Sequence, residues 1–109
     1  MKRVIIISPY SGKTEEKIKE NIAYAERCML DSLNRGEAPF LSHLLYPRVL
    51  NDKNPDERKL GMKAGHEWFK TVNYCIVYND LGISEGMEED IKKADKNDII
   101  IFYRSLKHV

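Results

Sequence analysis

The sequence predicts an α/β fold in which a parallel sheet of about four strands lies between two layers of helices. Short runs of β-branched residues alternate with longer amphipathic stretches along the chain, and this alternation is typical of such folds. The apolar runs are continuous, as expected of strands that are buried on both faces. A length of 109 residues suits a single domain that spans residues 1–109.

The first half of the chain carries two strands and one helix. Residues 4–7 are predicted to form the first strand, which turn residues beginning at Ser8 bring to an end. A helix follows from about Thr14, and Gly36 suits its end. Residues 39–42 are predicted to form a short second strand. The helical spacing of apolar residues predicts a core face made of Ile18, Ile22, Ala25, Met29 and Leu33.

The second half repeats the pattern. Asn54 is a predicted N-cap, and it precedes a helix that starts at Pro55 and reaches about residue 72. Residues 74–78 form the third predicted strand, and residues 99–102 form the fourth. Ser84 is predicted to cap a third helix between them, with Met87, Ile91 and Ala94 on its core face.

This order predicts a flavodoxin-like or Rossmann-like three-layer arrangement, with strand order 2-1-3-4. Right-handed crossovers leave few other topologies. In such sheets a ligand binds beyond the carboxyl ends of the strands, where the strand order reverses. The site is therefore expected between residues 8–13 and residues 80–90, with residues 43–46 on one side.

Composition excludes several classes of protein. The chain is 42% hydrophobic and 32% charged, and its 18 basic and 17 acidic residues leave a net charge of +1. We therefore expect a folded domain with neither a nucleic acid polymer nor a membrane as a partner. Cys28 and Cys75 belong to no metal-binding motif, so we expect buried thiols and no metal or other cofactor. The first apolar run is too short for a signal peptide or a membrane span, so we expect a cytoplasmic protein.

The loop after the first strand supplies the first candidate binding residues, because backbone N–H groups at a helix start favour anions. The alternative is an ordinary strand-to-helix turn. His43, after the second strand, is a further candidate binding residue, and it is interpreted as a solvated loop histidine in preference to a catalytic one. The candidates in the loop after the first strand are Ser8, Tyr10, Ser11, Gly12 and Lys13.

The loop after the third strand supplies Asp80, Ser84, Gly86 and Met87 as further candidates, followed by several carboxylates. Most of these carboxylates are interpreted as stabilising the helix dipole. Helical phase places Asp90 beside the apolar stripe, on the same edge as Gly86, so Asp90 is the acid expected to face a ligand. The same phase points Glu88 to one side and Glu89 to solvent.

Three residues of the second helix carry structural predictions. His66 is expected at the surface. Trp68 and Phe69 are expected in the core or at a subunit interface. A domain this small buries a limited fraction of its surface, so we expect a homo-oligomer that buries Trp68, Phe69 or part of residues 55–72.

Five short motifs, in order, resemble one family. The chain resembles the nucleoside 2-deoxyribosyltransferase-like superfamily, and within it a small, often phage-borne branch. The motifs that carry this resemblance are Ser8-Pro9-Tyr10, Gly36-x-Ala38-Pro39, His43 with Tyr46-Pro47, Gly65-x-Glu67-Trp68 and Ser84-x-Gly86-Met87.

The resemblance implies a nucleoside deoxyribosyltransferase or a nucleoside 5′-monophosphate N-glycosidase that needs no cofactor. In that family a glutamate attacks the anomeric carbon while the base leaves, as in a retaining glycosidase. The corresponding position here is Asp90, which is one methylene shorter. Gly65 stands where the phosphohydrolysing relatives carry an aspartate.

The sequence therefore leaves three hypotheses open. In the first, Asp90 is the nucleophile of such an enzyme, Tyr10 holds the sugar or the base, and Ser84 and Gly86, with Ser8 and residues 11–13, bind the sugar or phosphate. In the second, the protein binds a nucleotide or a nucleotide derivative without turning it over, as a regulator or a sponge. In the third, the domain is structural and its cleft is vestigial, because a shared fold does not determine function.

Overall fold

The computed structural model describes residues 1–107 and contains four strands and three α-helices. The strands are β1 (Lys2–Ile7), β2 (Glu37–Phe40), β3 (Tyr74–Tyr78) and β4 (Ile101–Arg104), and the α-helices are α1 (Glu15–Asn34), α2 (Pro55–Glu67) and α3 (Glu85–Lys96). Short 3₁₀ turns cover Ser42–Leu44, Tyr46–Arg48 and Trp68–Thr71. His108, in the expected C-terminal tail, lies outside the described residues.

The sheet has the predicted topology. All three strand pairs are parallel, and the order is β2-β1-β3-β4. Ile5 of β1 lies opposite Cys75 of β3, and the two central strands share a four-residue register. The predicted α/β fold class is therefore confirmed, and the order of strands reverses between β1 and β3.

Both edge strands are shifted from their predicted positions. β2 begins at Glu37, two residues early, because the Glu37 carboxylate is buried and accepts hydrogen bonds there. Pro39 lies within β2, which is tolerated because β2 is an edge strand. β4 begins two residues late, because the N–H of Ile99 is still bonded to the carbonyl of Ala94 at the end of α3, at 3.0 Å.

Two apolar cores cover the two faces of the sheet. On one face, Val4, Ile6 and Ile76 pack against α1. Tyr24 is the largest buried side chain that this helix contributes. The other face packs against α3 and the turn after α2, and its buried members are Ile5, Ile7, Phe69, Cys75, Val77, Met87 and Ala94. The two central strands therefore read as continuous apolar runs because both of their faces are buried.

Helix α1 is rotated from its predicted orientation. Its buried residues are Asn21, Tyr24, Ala25, Cys28 and Ser32, and Leu33 is 48% exposed. Polar residues can occupy the core face because hydrogen bonds satisfy them. Asn21 donates to two loop carbonyls, and Ser32 donates to the Glu37 carboxylate at 2.8 Å.

Phe69 and Trp68 have different environments. Phe69 is 3% exposed within its own chain, so it is a core residue, which is one of the two expected environments. Trp68 is 46% exposed, stacks on Phe40 and donates from its indole N–H to the hydroxyl of Tyr46 at 3.0 Å. Over residues 1–107, the longest apolar stretches of helix fall short of what a membrane crossing requires.

Candidate functional site

A cleft of about 300 Å³ opens at the carboxyl ends of β1 and β3. This volume is at the lower end of the range for small-molecule sites, which is about 300–1,000 Å³. Its walls come from the loop after β1, the segment between β2 and α2, the first turns of α2, and the start of α3. The lining residues are Ser8, Tyr10, Ser11, Ser42, His43, Tyr46, Pro47, Leu50, Asp52, Glu57, Arg58, Gly61, Met62, Ser84, Glu85, Gly86, Met87 and Asp90.

Ser8 and His43 form the floor of the cleft near β1. The Ser8 hydroxyl is hydrogen-bonded to Nε2 of His43 at 2.7 Å. His43 is partly buried, and burial lowers its pKa to about 4. The imidazole is therefore neutral at pH 7, and its partial burial and its bond to Ser8 make it less solvated than the sequence predicted. Neutral His43 brings hydrogen-bonding capacity to the cleft but no positive charge.

Helix α1 holds the loop after β1 in place. The side-chain amide of Asn21 donates to the carbonyls of Tyr10, at 3.0 Å, and Ser11, at 3.2 Å. Asn21 is 1% exposed, so these bonds form in the interior, where a lost partner is costly. The position of the loop is therefore set before a ligand arrives.

A polar cluster joins the first loop to α2. The Ser11 hydroxyl donates to the Asp52 carboxylate at 2.7 Å and accepts from the Arg58 guanidinium at 2.9 Å. Arg58 and Asp52 are themselves 3.6 Å apart. Arg58 is thus held at the cleft by a carboxylate of the chain.

The start of α3 presents backbone donors to the cleft. The Ser84 hydroxyl caps the helix by accepting from the N–H of Met87 at 3.3 Å. Among the described residues, the N–H groups of Glu85 and Gly86 have no intrahelical partner, as expected in a first turn. A Cβ at Gly86 would lie 3.5 Å from the Arg58 guanidinium, so Arg58 stands directly over this turn. The first-turn N–H groups of α3 and the Arg58 guanidinium therefore lie close together.

Asp90 lines the cleft one turn further along α3. Its Oδ1 is 2.8 Å from Nε2 of His66 on α2, and the two side chains are 30% and 19% exposed. His66 was expected at the surface, and that prediction is wrong because the ring packs between Asp90 and Phe69. Glu88 and Glu89 are exposed and lie outside the cleft lining.

Cys75 lies behind this wall, on β3. Burial, together with the charge of Asp90, raises the pKa of the Cys75 thiol to about 12. The thiol is therefore protonated at neutral pH, which makes it a weak nucleophile.

Gly65 allows α2 to approach the segment after β2. A Cβ at this position would lie 2.8 Å from the hydroxyl oxygen of Ser42 and 2.9 Å from its Cβ. A larger side chain, such as the aspartate of the family pattern, would require Ser42 to move. The space near the cleft that this aspartate would enter is filled here by Ser42.

Most predicted binding residues meet at the cleft, but three do not. Gly12 faces an adjoining shallow groove, and Lys13 is exposed and lines neither cavity. Asp80 is occupied elsewhere, since it accepts from the Tyr24 hydroxyl at 2.7 Å and the Ser105 hydroxyl at 2.6 Å. Although burial raises it, these bonds and the N–H of Leu106 hold the pKa of Asp80 well below its ordinary value. Asp80 therefore joins α1 to the segment after β4.

The sequence predicted residues 43–46 beside the site but not the contribution of α2 or of residues 47–54 before it. The start of a crossover helix lies at the same edge of the sheet as the carboxyl end of the strand that precedes it. The predicted N-cap at Asn54 therefore carried the signal that the first turns of α2 reach the site. The missed lining residues include Ser42, Asp52, Glu57, Arg58 and Met62. Within residues 1–107, no three His, Cys, Asp or Glu side chains cluster as metal ligands.

Comparisons with known proteins place this geometry in context. A family model described as a domain of unknown function (DUF7768) matches residues 2–104. No curated protein matches the sequence. Among solved structures, the chain is similar to a 2-deoxyribosyltransferase from the psychrotolerant bacterium Bacillus psychrosaccharolyticus, with a TM-score of 0.64 and 15% identity over 98% of this chain and 76% of that chain. At this identity the likeness shows that the two chains share a fold.

Proposed function

We propose a function from the geometry of the cleft, because the family to which the chain belongs is described only as a domain of unknown function (DUF7768). The protein cleaves the N-glycosidic bond of a nucleoside or a nucleoside 5′-monophosphate, and it hydrolyses the sugar intermediate or transfers it to a second base. Asp90 is the nucleophile. The fold shared with a 2-deoxyribosyltransferase is consistent with this chemistry.

One observation carries the proposal: a carboxylate on the cleft wall has one oxygen held and one oxygen available. His66 binds Oδ1 of Asp90 at 2.8 Å, which leaves Oδ2 for the ligand. A carboxylate in this position attacks the anomeric carbon as the carbon–nitrogen bond breaks. The departing base takes the bonding electron pair and a proton from water. Attack by water or a second base then breaks the glycosyl ester and regenerates Asp90.

The remaining cleft residues have binding roles in this proposal. The hydroxyl of Ser8 and the N–H groups of Glu85 and Gly86 bind sugar oxygens, and Tyr10 packs against the sugar or the base. Arg58 and Ser11 are the group that accepts a 5′-phosphate, once the phosphate replaces the Asp52 carboxylate.

Charge in the cleft favours the uncharged nucleoside over its phosphate. Four carboxylates line the cleft, from Asp52, Glu57, Glu85 and Asp90, against the single guanidinium of Arg58. A phosphate must displace Asp52 and overcome repulsion from the other three. We therefore expect faster turnover of nucleosides than of monophosphates.

A second candidate function is binding without turnover, as a nucleotide regulator or sponge. Asp90 is shorter than the glutamate of the family pattern, and a misplacement of about 1 Å can lower a rate on the order of a hundredfold. The binding residues are independent of that length, so the cleft keeps its ligand under either hypothesis.

The deciding experiment measures free base released from a panel of nucleosides and 5′-monophosphates, together with the thermal shift that each compound causes. Asp90→Asn keeps the shape and removes the nucleophile, so base release should fall to background while the thermal shift persists. Glu89→Gln is the matched control, because Glu89 is exposed on the same helix, and it should behave as the native protein.

Asp90→Glu tests reach in the same assay. If the short side chain limits the rate, this variant releases base faster than the native protein; if the cleft is built around aspartate, the added methylene slows it. Thermal shifts without base release by the native protein would replace the enzyme hypothesis with the binding one. Base release that survives in Asp90→Asn would overturn the role of Asp90.

A further inference from the structure

His66 lies on α2 and is not itself a lining residue of the cleft. Its Nε2 is hydrogen-bonded to Asp90, which does line the cleft. We propose that His66 is a positioning residue that sets the orientation of the Asp90 carboxylate, an inference that rests on the proposed function. It holds Oδ1 of Asp90 so that Oδ2 faces the reacting carbon.

The chemistry of the contact determines which atom carries the proton. An ionised carboxylate only accepts hydrogen bonds, so Nε2 of His66 must carry a proton at the 2.8 Å contact with Asp90. In the neutral ring Nδ1 is then an acceptor. The Asp90 carboxylate thus receives a directed N–H bond, which restricts its rotation.

The histidine is supported by the core. Its ring packs edge-on against Phe69, with centroids 5.3 Å apart and planes at 78°. Phe69 is 3% exposed, so this support has little freedom to move. Only 19% of the His66 side chain is exposed, which shields the bond to Asp90 from competition by water.

A short nucleophile has a particular need for such support. An aspartate has one methylene fewer than the glutamate of the family pattern, and its carboxylate must reach the same carbon from a fixed backbone. Orientation within a fraction of an ångström then decides the rate. Gly65, the residue before His66, lets α2 pack close to Ser42, and this approach fixes where α2 presents the imidazole.

The test compares base release by the native protein with release by His66→Leu and His66→Gln. His66→Leu removes the donor and keeps an apolar side chain, so kcat should fall about a hundredfold while KM changes less than about twofold. Glutamine retains an N–H donor, so His66→Gln should recover at least about tenfold of that loss. Glu67→Leu is the matched control, because the neighbouring Glu67 side chain is 67% exposed, and it should keep the native kcat.

Each alternative result has a defined meaning. If the native protein releases base and His66→Leu keeps the native kcat, the inference is overturned and the proposed function stands. If both His66 variants lower the melting temperature and raise KM with kcat intact, His66 is structural and the inference is again overturned. If the native protein releases no base from any compound, the proposed function fails and the inference fails with it. Nitrogen-15 NMR gives a readout without turnover, since a ring protonated at Nδ1 alone would exclude the bond to Asp90.

Discussion

His43 shows how a single partly buried side chain makes the stability of this domain depend on pH. Burial lowers its pKa from 6.5 to about 4, so the unfolded chain binds a proton at a higher pH than the folded chain does. Its contribution to stability is complete above pH 6.5 and is lost as the pH falls towards 4. A shift of one pKa unit corresponds to about 1.4 kcal/mol, so the loss can reach about 3 kcal/mol.

Urea unfolding of the native protein and of His43→Gln between pH 4 and pH 7 measures this contribution. Other groups titrate in both proteins, so the informative quantity is the difference between their free energies of unfolding. That difference should shrink steadily below pH 6.5. Parallel curves for the two proteins would show that His43 is not the group responsible.

Asn21 joins two elements of the fold, because its side chain lies on the buried face of α1 and bonds to the loop after β1. Its two bonds to the carbonyls of Tyr10 and Ser11 attach a loop of the cleft to a helix of the core. Asn21→Ala leaves both carbonyls without this partner, which should cost about 1–3 kcal/mol of stability. Because the loop loses its attachment, ligand affinity should fall as well.

The matched control for this prediction is Asn34→Ala, since Asn34 is exposed at the last position of the same helix. Chemical denaturation should leave Asn34→Ala within about 0.5 kcal/mol of the native protein. Ligand titration by calorimetry tests the effect on the cleft. Native affinity in Asn21→Ala would mean that the loop holds its shape without Asn21.

At the scale of the whole molecule, sequence pattern predicts topology better than it predicts pairing. The alternation of strand and helix signals was sufficient for the order 2-1-3-4, because local patterns and the handedness of crossovers constrain it. Helical phase likewise distinguished Asp90 from its neighbouring carboxylates, because it placed Asp90 beside the apolar stripe of α3. The bond between His66 and Asp90 joins residues 24 positions apart, and no periodicity relates them. For the same reason the sequence did not predict that Asp80 would be bound by Ser105, or that polar Asn21 would occupy the core face.

One ion pair joins the two edge strands of the sheet. Glu37 begins β2 and Arg104 ends β4, and their side chains meet across the α1 face with bonds of 2.9 and 3.1 Å. The hydroxyl of Tyr74 also donates to Glu37, and that of Tyr78 accepts from Arg104. Although burial raises it, the bonds from Arg104, Tyr74 and Ser32 lower the pKa of Glu37 to about 2. The ionised pair therefore helps to hold the sheet together.

Replacing one partner should destabilise the whole domain in a manner that depends on pH. Arg104→Met leaves the Glu37 carboxylate buried without its cation, which should cost about 3 kcal/mol at pH 7. Because the pair stabilises only the ionised form of Glu37, its contribution is complete above pH 4.5 and disappears as the pH falls towards 2. The difference in unfolding free energy between the native protein and Arg104→Met should therefore narrow over that range.

Arg35→Met is the control for this prediction. Arg35 pairs with Asp31, and its side chain is 44% exposed, so its loss should cost less than about 1 kcal/mol. An Arg104→Met deficit that stays constant from pH 7 to pH 3 would assign the effect to lost packing of the arginine side chain and not to its charge.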